Sequence, residues 1–226
     1  EYTFSLNQPL PSGVLTSWYT PDCVEVVSET ATSIVVRPVA NAQLITIMIT
    51  LYRPGYYIDL EKYVTFNINN FSCEHNYSST TDRTISTPTN ISGTFTINSG
   101  HTVTITSQVK CMPDTKIVIN SGGKLIVDGG TISNYCTGRT WDAIYVVGNT
   151  YQRQLAQHQG TLEVKNNSVI ENSSWGIVTW NGTSYSTTGG IVQCTNSTFR
   201  NNGRQVEFYP YTNHNASNEE CNNVSY

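Results

Sequence analysis

Two stretches of this chain repeat each other and decide the fold. Ile97-Asn98-Ser99-Gly100-His101-Thr102-Val103-Thr104-Ile105 is matched without gaps by Ile119-Asn120-Ser121-Gly122-Gly123-Lys124-Leu125-Ile126-Val127, 22 residues later. Apolar residues alternate with polar ones in both copies, as in a β-strand that buries one face. A repeat of about 20 to 45 residues is typical of solenoids, in which each unit packs on its neighbours. The pair therefore predicts two successive turns of a parallel β-helix.

Later parts of the chain keep the same pattern and add insertions. Residues 124–134 align without gaps to residues 191–201, and a looser copy runs from 161 to 172. A second short strand recurs at residues 117–119, 144–146, 177–179 and 206–208. These copies predict about five turns.

Stacking the turns gives four predicted rows of inward side chains. The rows are Phe95, Ile117, Ile144, Ile177, Val206; Ile97, Ile119, Val146, Thr179, Phe208; Val103, Leu125, Leu162, Val192; and Ile105, Val127, Val164, Cys194. Because side chains alternate along a strand, the residues between them, such as Val178, are expected to face solvent. Each buried apolar side chain contributes about 1.5 to 3 kcal/mol to folding. Because a single turn cannot bury these side chains by itself, the turns are stable only when they stack.

The part of the chain before the repeats has a different pattern. Six short alternating stretches separated by turn residues predict a small β-sandwich over residues 1–67, with Trp18 as its core aromatic. Residues 68–91 are polar and read either as a linker or as an edge strand that caps the solenoid. We expect the parallel β-helix to span 92–211 and a C-terminal tail to span 212–226. The predicted fold is all-β: a short right-handed parallel β-helix of about five turns preceded by a small β-sandwich.

The repeats carry a resemblance that covers about 120 residues of the chain. They resemble the right-handed parallel β-helix proteins of the pectate-lyase-like superfold, in particular β-helix segments of large exported bacterial surface proteins. The Pro11-Ser12-Gly13 turn, the strand with Trp18, the strand over 33–38 and the Ile-rich strand after it resemble bacterial immunoglobulin-like and PKD-like modules. The superfold includes lyases, glycosidases and adhesins, so the resemblance alone implies no single activity.

Composition narrows the class of protein and of partner. Charged residues make up 12% of the chain and the formal net charge is -4, with no cluster of Lys and Arg. We therefore expect no nucleic-acid partner. The longest apolar stretch, residues 44–52, is too short to cross a bilayer. Six Cys suit an oxidising compartment, with their pairing left open, and the chain begins at Glu1 on a strand, as a processed piece of a longer protein does. These features predict a secreted or cell-surface protein.

The polar residues do not form a recognisable active site. In the predicted alignment, no two of the acids Asp128, Asp142, Glu163, Glu171 and Glu207 stack on adjacent turns. Asn134, Asn172 and Asn201 share one turn position, which favours a structural asparagine ladder. We therefore predict no catalytic residue, no metal ligand and no cofactor.

One outward surface is the predicted ligand site. Val147, Trp180 and Tyr209 align on the outer side of one sheet, with Tyr211 just beyond them, and insertions at 149–159 and 182–189 leave the same edge. Aromatic faces beside polar loops suit the stacking of sugar rings, unless the insertions fold back over them.

The sequence leaves three functions open. The first is non-catalytic binding, adhesion or spacing in an exported bacterial surface protein, with glycans or other surface proteins as partners. The alternatives are a carbohydrate-active enzyme of the pectate-lyase-like class and a purely structural module.

Overall fold

The protein is all-β and consists of two compact units. The computed structural model describes residues 1–20, 24–38, 42–55, 60–68, 73–136 and 138–226. The units are Glu1–Ser72 and Cys73–Tyr226. No helix in the described ranges is long and apolar enough to cross a membrane. Cys23 lies outside the described residues.

The first unit consists of two antiparallel three-stranded sheets. Its strands are β1 (Tyr2–Ser5), β2 (Leu15–Tyr19), β3 (Val24–Glu29), β4 (Ser33–Pro38), β5 (Ala42–Tyr52) and β6 (Leu60–Ile68). The sheet orders are β1-β4-β3 and β2-β5-β6. Both sheets contribute to one core, formed by Val24, Ile34, Val36 and Ile47 with Phe4 and Trp18 packed against it. The two sheets and their shared core agree with the predicted small sandwich, whereas Trp18 packs against that core and stays partly exposed.

The second unit is a parallel β-helix formed by three sheets. One sheet has the order β10-β13-β16-β19-β22, with strands β10 (Thr94–Ile97), β13 (Lys116–Ile119), β16 (Ala143–Val146), β19 (Ile177–Val178) and β22 (Val206–Glu207). The next has the order β20-β17-β14-β11-β8, with strands β8 (Arg83–Ile85), β11 (Thr102–Ile105), β14 (Lys124–Asp128), β17 (Thr161–Lys165) and β20 (Ile191–Cys194).

The third sheet completes each turn. Its order is β21-β18-β15-β12-β9-β7, with strands β7 (Glu74–His75), β9 (Thr89–Ser92), β12 (Gln108–Cys111), β15 (Thr131–Asn134), β18 (Val169–Glu171) and β21 (Thr198–Arg200). A short hairpin of β23 (Asn213–His214) and β24 (Glu220–Cys221) follows the last turn. The five-stranded sheets agree with the predicted number of turns.

The predicted rows of inward side chains match the strand register. Phe95, Ile117, Ile144, Ile177 and Val206 are paired in succession, and so are Ile105, Val127, Val164 and Cys194. Nearly all of these side chains lie in one continuous apolar core. Because apolar side chains stack directly on one another from turn to turn, the interior of the solenoid excludes water.

Two positions depart from the expected burial. Phe208, predicted to be inward, is 58% exposed because it lies on the last turn of its sheet. Val178, predicted to face solvent, does lie on the outer side of its strand but is only 4% exposed, since aromatic side chains cover it. The outer side of the strand is therefore packed at Val178, whereas the last turn is open at Phe208.

The segments flanking the predicted solenoid also pair with it. Residues 68–91, for which a linker and a cap were the alternatives, include β7, β8 and most of β9, and Tyr77 stacks on Phe95 with ring centroids 4.4 Å apart. At the other end, Tyr226 bonds to both Val192 and Cys194 through the backbone, the pattern of a parallel strand added to β20.

The corners of the solenoid contain the expected amide ladder. Asn172 Nδ2 donates to Asn134 Oδ1 at 2.8 Å, and both Asn172 and Asn201 adopt left-handed backbone conformations with φ of 60° and 54°. Asn tolerates this conformation better than other non-glycine residues. The hydrogen bond supports the structural interpretation of Asn134 and Asn172. Asn201 shares the left-handed backbone of Asn172.

Candidate functional site

The site is built on the outer side of the sheet β10-β13-β16-β19-β22. Tyr145, Val178 and Glu207 occupy one register position on three successive strands. Their side chains lie on the face opposite to the inward Ile144, Ile177 and Val206, because neighbours on a strand point to opposite sides. The stacking of turns therefore places an aromatic ring, an aliphatic side chain and a carboxylate side by side.

An aromatic cluster lies beside this row. The rings of Trp180 and Tyr209 stack with centroids 4.1 Å apart, and Trp180 also stacks on Tyr185 at 5.1 Å. Stacked rings at such distances stabilise one another beyond their apolar burial. The arrangement holds Trp180 half-buried and leaves Tyr185 70% exposed.

A pocket of about 210 Å³ opens between the row and the cluster. Its lining consists of four aromatic residues, one carboxylate and two small or aliphatic residues: Tyr145, Trp175, Trp180, Tyr209, Glu207, Val178 and Gly182. Gly182 has φ of +82°, and a Cβ there would lie 3.2 Å from the Tyr145 ring. Glycine thus allows the insertion 182–189 to turn close to this wall.

Three of the four predicted site residues line two cavities. Trp180 and Tyr209 meet as expected, whereas Tyr211 lines a separate cavity of about 230 Å³ that it shares with Tyr209 and Phe208. Val147 is half-buried and is not among the residues that line either cavity. Trp180 and Tyr209 therefore meet at one pocket, whereas Val147 and Tyr211 do not line it.

The two insertions have different roles. The insertion 182–189 contributes Tyr185 from a short 3₁₀ turn, Tyr185–Thr187, and so covers part of Trp180. The insertion 149–159 lies by Tyr211, whose hydroxyl donates to the Gln152 carbonyl at 2.5 Å. One insertion therefore folds back over part of Trp180, as the alternative expectation held. The same insertion presents the exposed ring of Tyr185.

Charged groups at the pocket are arranged in pairs. Glu207 forms an ion pair with Arg204, whose guanidinium carbon lies 4.3 Å above the Trp175 ring. Asp142 accepts a hydrogen bond from Tyr145 Oη at 3.1 Å. Burial, together with the charge and hydrogen bond of Asp142, raises the pKa of Tyr145 to about 12. Tyr145 is therefore a protonated hydrogen-bond donor at neutral pH.

Asp128 and Glu163, on another sheet of the solenoid, lie near a shared lysine. Asp128 and Glu163 lie on adjacent turns. Asp128 is paired in register with Lys165, and Glu163 is paired with Ile126. The two acids therefore do not stack on each other. Lys165 Nζ lies 2.6 Å from Glu163 and 3.9 Å from Asp128. Paired acids of this kind form a surface charge network rather than an acid/base pair aimed at a substrate.

Other potentially reactive groups have structural surroundings. Burial raises the pKa of Cys194 to about 11, so its thiol is protonated and a poor nucleophile.

A polar cavity of about 490 Å³ is lined by the asparagine ladder and by the loop residues Gly138, Arg139 and Thr140. Because the ladder amides bond to one another and to the loop backbone, this cavity follows from the corner structure.

Sequence reasoning missed three residues that line the pocket, Tyr145, Trp175 and Glu207. It also missed Tyr185, which stacks on Trp180 beside the pocket. The recurring strand at 144–146, 177–179 and 206–208 held a usable signal, since its middle residues share the outer face. Trp175 and Tyr185 lie on irregular segments, where no repeat fixes the direction of a side chain.

Comparison with known proteins gives no relative for this chain. No protein-family model matches it, and neither the curated proteins nor the solved structures contain a significant match.

Proposed function

We propose that this protein is a non-catalytic binding segment of an exported bacterial surface protein, and that it recognises glycans at the aromatic pocket. The observation that carries the proposal is the pocket itself, where the rings of Trp180 and Tyr209 adjoin hydroxyl and carboxylate groups. Sugars present apolar C–H faces that pack on rings and hydroxyls that bond to polar neighbours. A packed β-helix has no interior space for a ligand, so recognition uses such an outer face.

The chemistry of the surface favours binding over catalysis. A glycosidase of the common type requires two carboxylates about 5 to 10 Å apart that face one substrate. Here Glu207 is paired with Arg204, and Glu163 is paired with two lysines. The immunoglobulin-like resemblance of residues 1–67 adds to the proposal, because such modules space binding segments away from a surface.

Glycan-array binding of the whole chain tests the proposal. We expect weak binding, with affinities in the millimolar to micromolar range, since each ring contact contributes on the order of 1 kcal/mol. Trp180→Ala should abolish binding while shifting the melting temperature by only a few degrees. Tyr185→Ala, at an exposed ring, should weaken binding without destabilising the fold.

The matched control is Tyr151→Ala, which removes a ring that is 83% exposed and outside the pocket. Equal loss of binding in this control would show that the array reports nonspecific aromatic contact. Absence of binding by the wild-type chain would favour a purely structural module, and release of reducing or unsaturated sugar would favour an enzyme.

A further inference from the structure

The pocket has a composition that a neutral sugar does not require. Four aromatic residues, Tyr145, Trp175, Trp180 and Tyr209, surround it together with the Glu207 carboxylate. The face of an aromatic ring carries negative electrostatic potential, so a cation within about 6 Å of the ring centre is attracted to it. Several rings around one carboxylate therefore favour a positively charged group.

The free protein already holds a cation against part of this lining. Arg204 lies 4.3 Å above Trp175 and forms an ion pair with Glu207. The Arg204 side chain is 57% exposed and that of Glu207 is 21% exposed, so the pair lies at the surface rather than in the core. An ion pair near the surface contributes little to stability, so a ligand that fills the pocket can replace it.

Glu207 is the carboxylate at the pocket whose charge partner a ligand can replace. Asp142 lies 3.7 Å from Lys116 and accepts the Tyr145 hydroxyl, so its charge is compensated. Glu207 is compensated through Arg204. When the Arg204 side chain moves into solvent, Glu207 becomes the negative charge at the pocket, and an entering cation restores the balance.

We propose that the group bound in the pocket is the ammonium of an amino sugar, and that Arg204 occupies its place in the unliganded protein. This inference rests on the proposed glycan-binding function and specifies its ligand class. The sugar ring stacks on the aromatic cluster, while the ammonium contacts Glu207 and the ring faces. Arg204 then acts as an internal competitor that sets the affinity.

Two matched probes test the inference: the trisaccharide of glucosamine and the trisaccharide of N-acetylglucosamine, titrated at a pH that keeps the amines protonated. We expect the amine form to bind about tenfold more tightly, since its ammonium adds cation–π and carboxylate contacts. Glu207→Gln should remove this preference. Arg204→Gln should tighten amine binding several-fold, because the competing cation is gone.

The control variant is Arg200→Gln, which removes an arginine of similar exposure that pairs with Glu171 on another sheet. It should leave both affinities unchanged. Equal affinity for the two trisaccharides would overturn the inference and leave the proposed glycan binding standing. Failure of both to bind, when array glycans also fail, would overturn the proposed function and this inference with it. Unchanged amine affinity in both Glu207→Gln and Arg204→Gln would also contradict the inference.

Discussion

The two units of the molecule bury their apolar side chains in different ways. The described part of the first unit has a small core of Val24, Ile34, Val36 and Ile47 between two antiparallel sheets. The solenoid has one column that runs through every turn, from Ile85 to Val192. A sandwich core forms where two sheets built from segments distant in sequence pack together. Each inner turn of a solenoid instead packs on the turn before it and the turn after it. Stability in the solenoid should therefore depend on how far a residue lies from the ends.

The difference between inner and terminal turns is visible at single residues. Ile144 and Ile177 are fully buried, whereas Phe208 on the last turn is 58% exposed. Substitutions that compare these positions test whether the turns act as a continuous stack.

The largest effect is expected from Ile177→Asp. A carboxylate there would lie between Ile144 and Val206 without a partner, which costs several kcal/mol and should unfold the solenoid cooperatively. Circular dichroism melting measures the loss. Leu155→Asp, at an insertion residue that is 38% exposed, is the control and should melt close to wild type. A folded Ile177→Asp protein with an unchanged melting temperature would refute the register.

An intermediate effect is expected from truncation along the column. Ile144→Ala removes a fully buried side chain and should cost about 2 to 5 kcal/mol. Phe208→Ala should cost about 1 kcal/mol or less, because most of its ring is already in water. Urea unfolding of both variants gives the comparison. Similar losses at the two positions would show that the last turn is as well packed as the inner ones.

A smaller effect is expected from the charged surface of the solenoid. Hydrogen bonds from Lys124 and then Lys165 lower the pKa of Glu163 below its ordinary value of 4.5, against a weaker opposing effect of burial. A carboxyl whose pKa is lowered by folding stabilises the protein above its unfolded pKa, and this contribution is lost as the pH falls through the folded pKa. Glu163→Gln should therefore lower stability slightly at neutral pH and flatten its decline below about pH 4.5.

Glu29→Gln, at an exposed residue of the first unit, is the control for this pH dependence. The stability of both variants and of wild type is compared by urea unfolding between neutral and acidic pH. An identical acid decline in wild type and Glu163→Gln would show that the two lysine contacts do not stabilise the folded state.

Much of the solenoid could be predicted because its repeats carry register information. The pairing of Ile97 with Ile119 and of Val103 with Leu125 follows directly from the offset of 22 residues. The first turn escaped prediction because Arg83-Thr84-Ile85 keeps only part of the pattern, although it pairs with Val103-Thr104-Ile105. Burial of Val178 escaped it because alternation gives the direction of a side chain and not what covers it.

The aromatic pocket was predictable only at its centre. Trp180 and Tyr209 are 29 residues apart in sequence, and their meeting followed from the alignment of turns. Trp175 lines the pocket from a segment outside the repeated strands, and Tyr185 stacks on Trp180 from an insertion. The pairing of Arg204 with Glu207 depends on long side chains whose positions no periodicity determines.

The four tryptophans offer the most direct test of the central claim, that the outer aromatic pocket is a ligand site separate from the core. Trp175 and Trp180 line the pocket, Trp141 is buried in the solenoid, and Trp18 belongs to the first unit. Titration of ¹⁵N-labelled protein with a glycan selected on the array should shift the indole Nε1–H signals of Trp175 and Trp180 in a saturable manner and leave those of Trp141 and Trp18 in place. Unmoved pocket signals, or equal shifts of all four, would contradict the account.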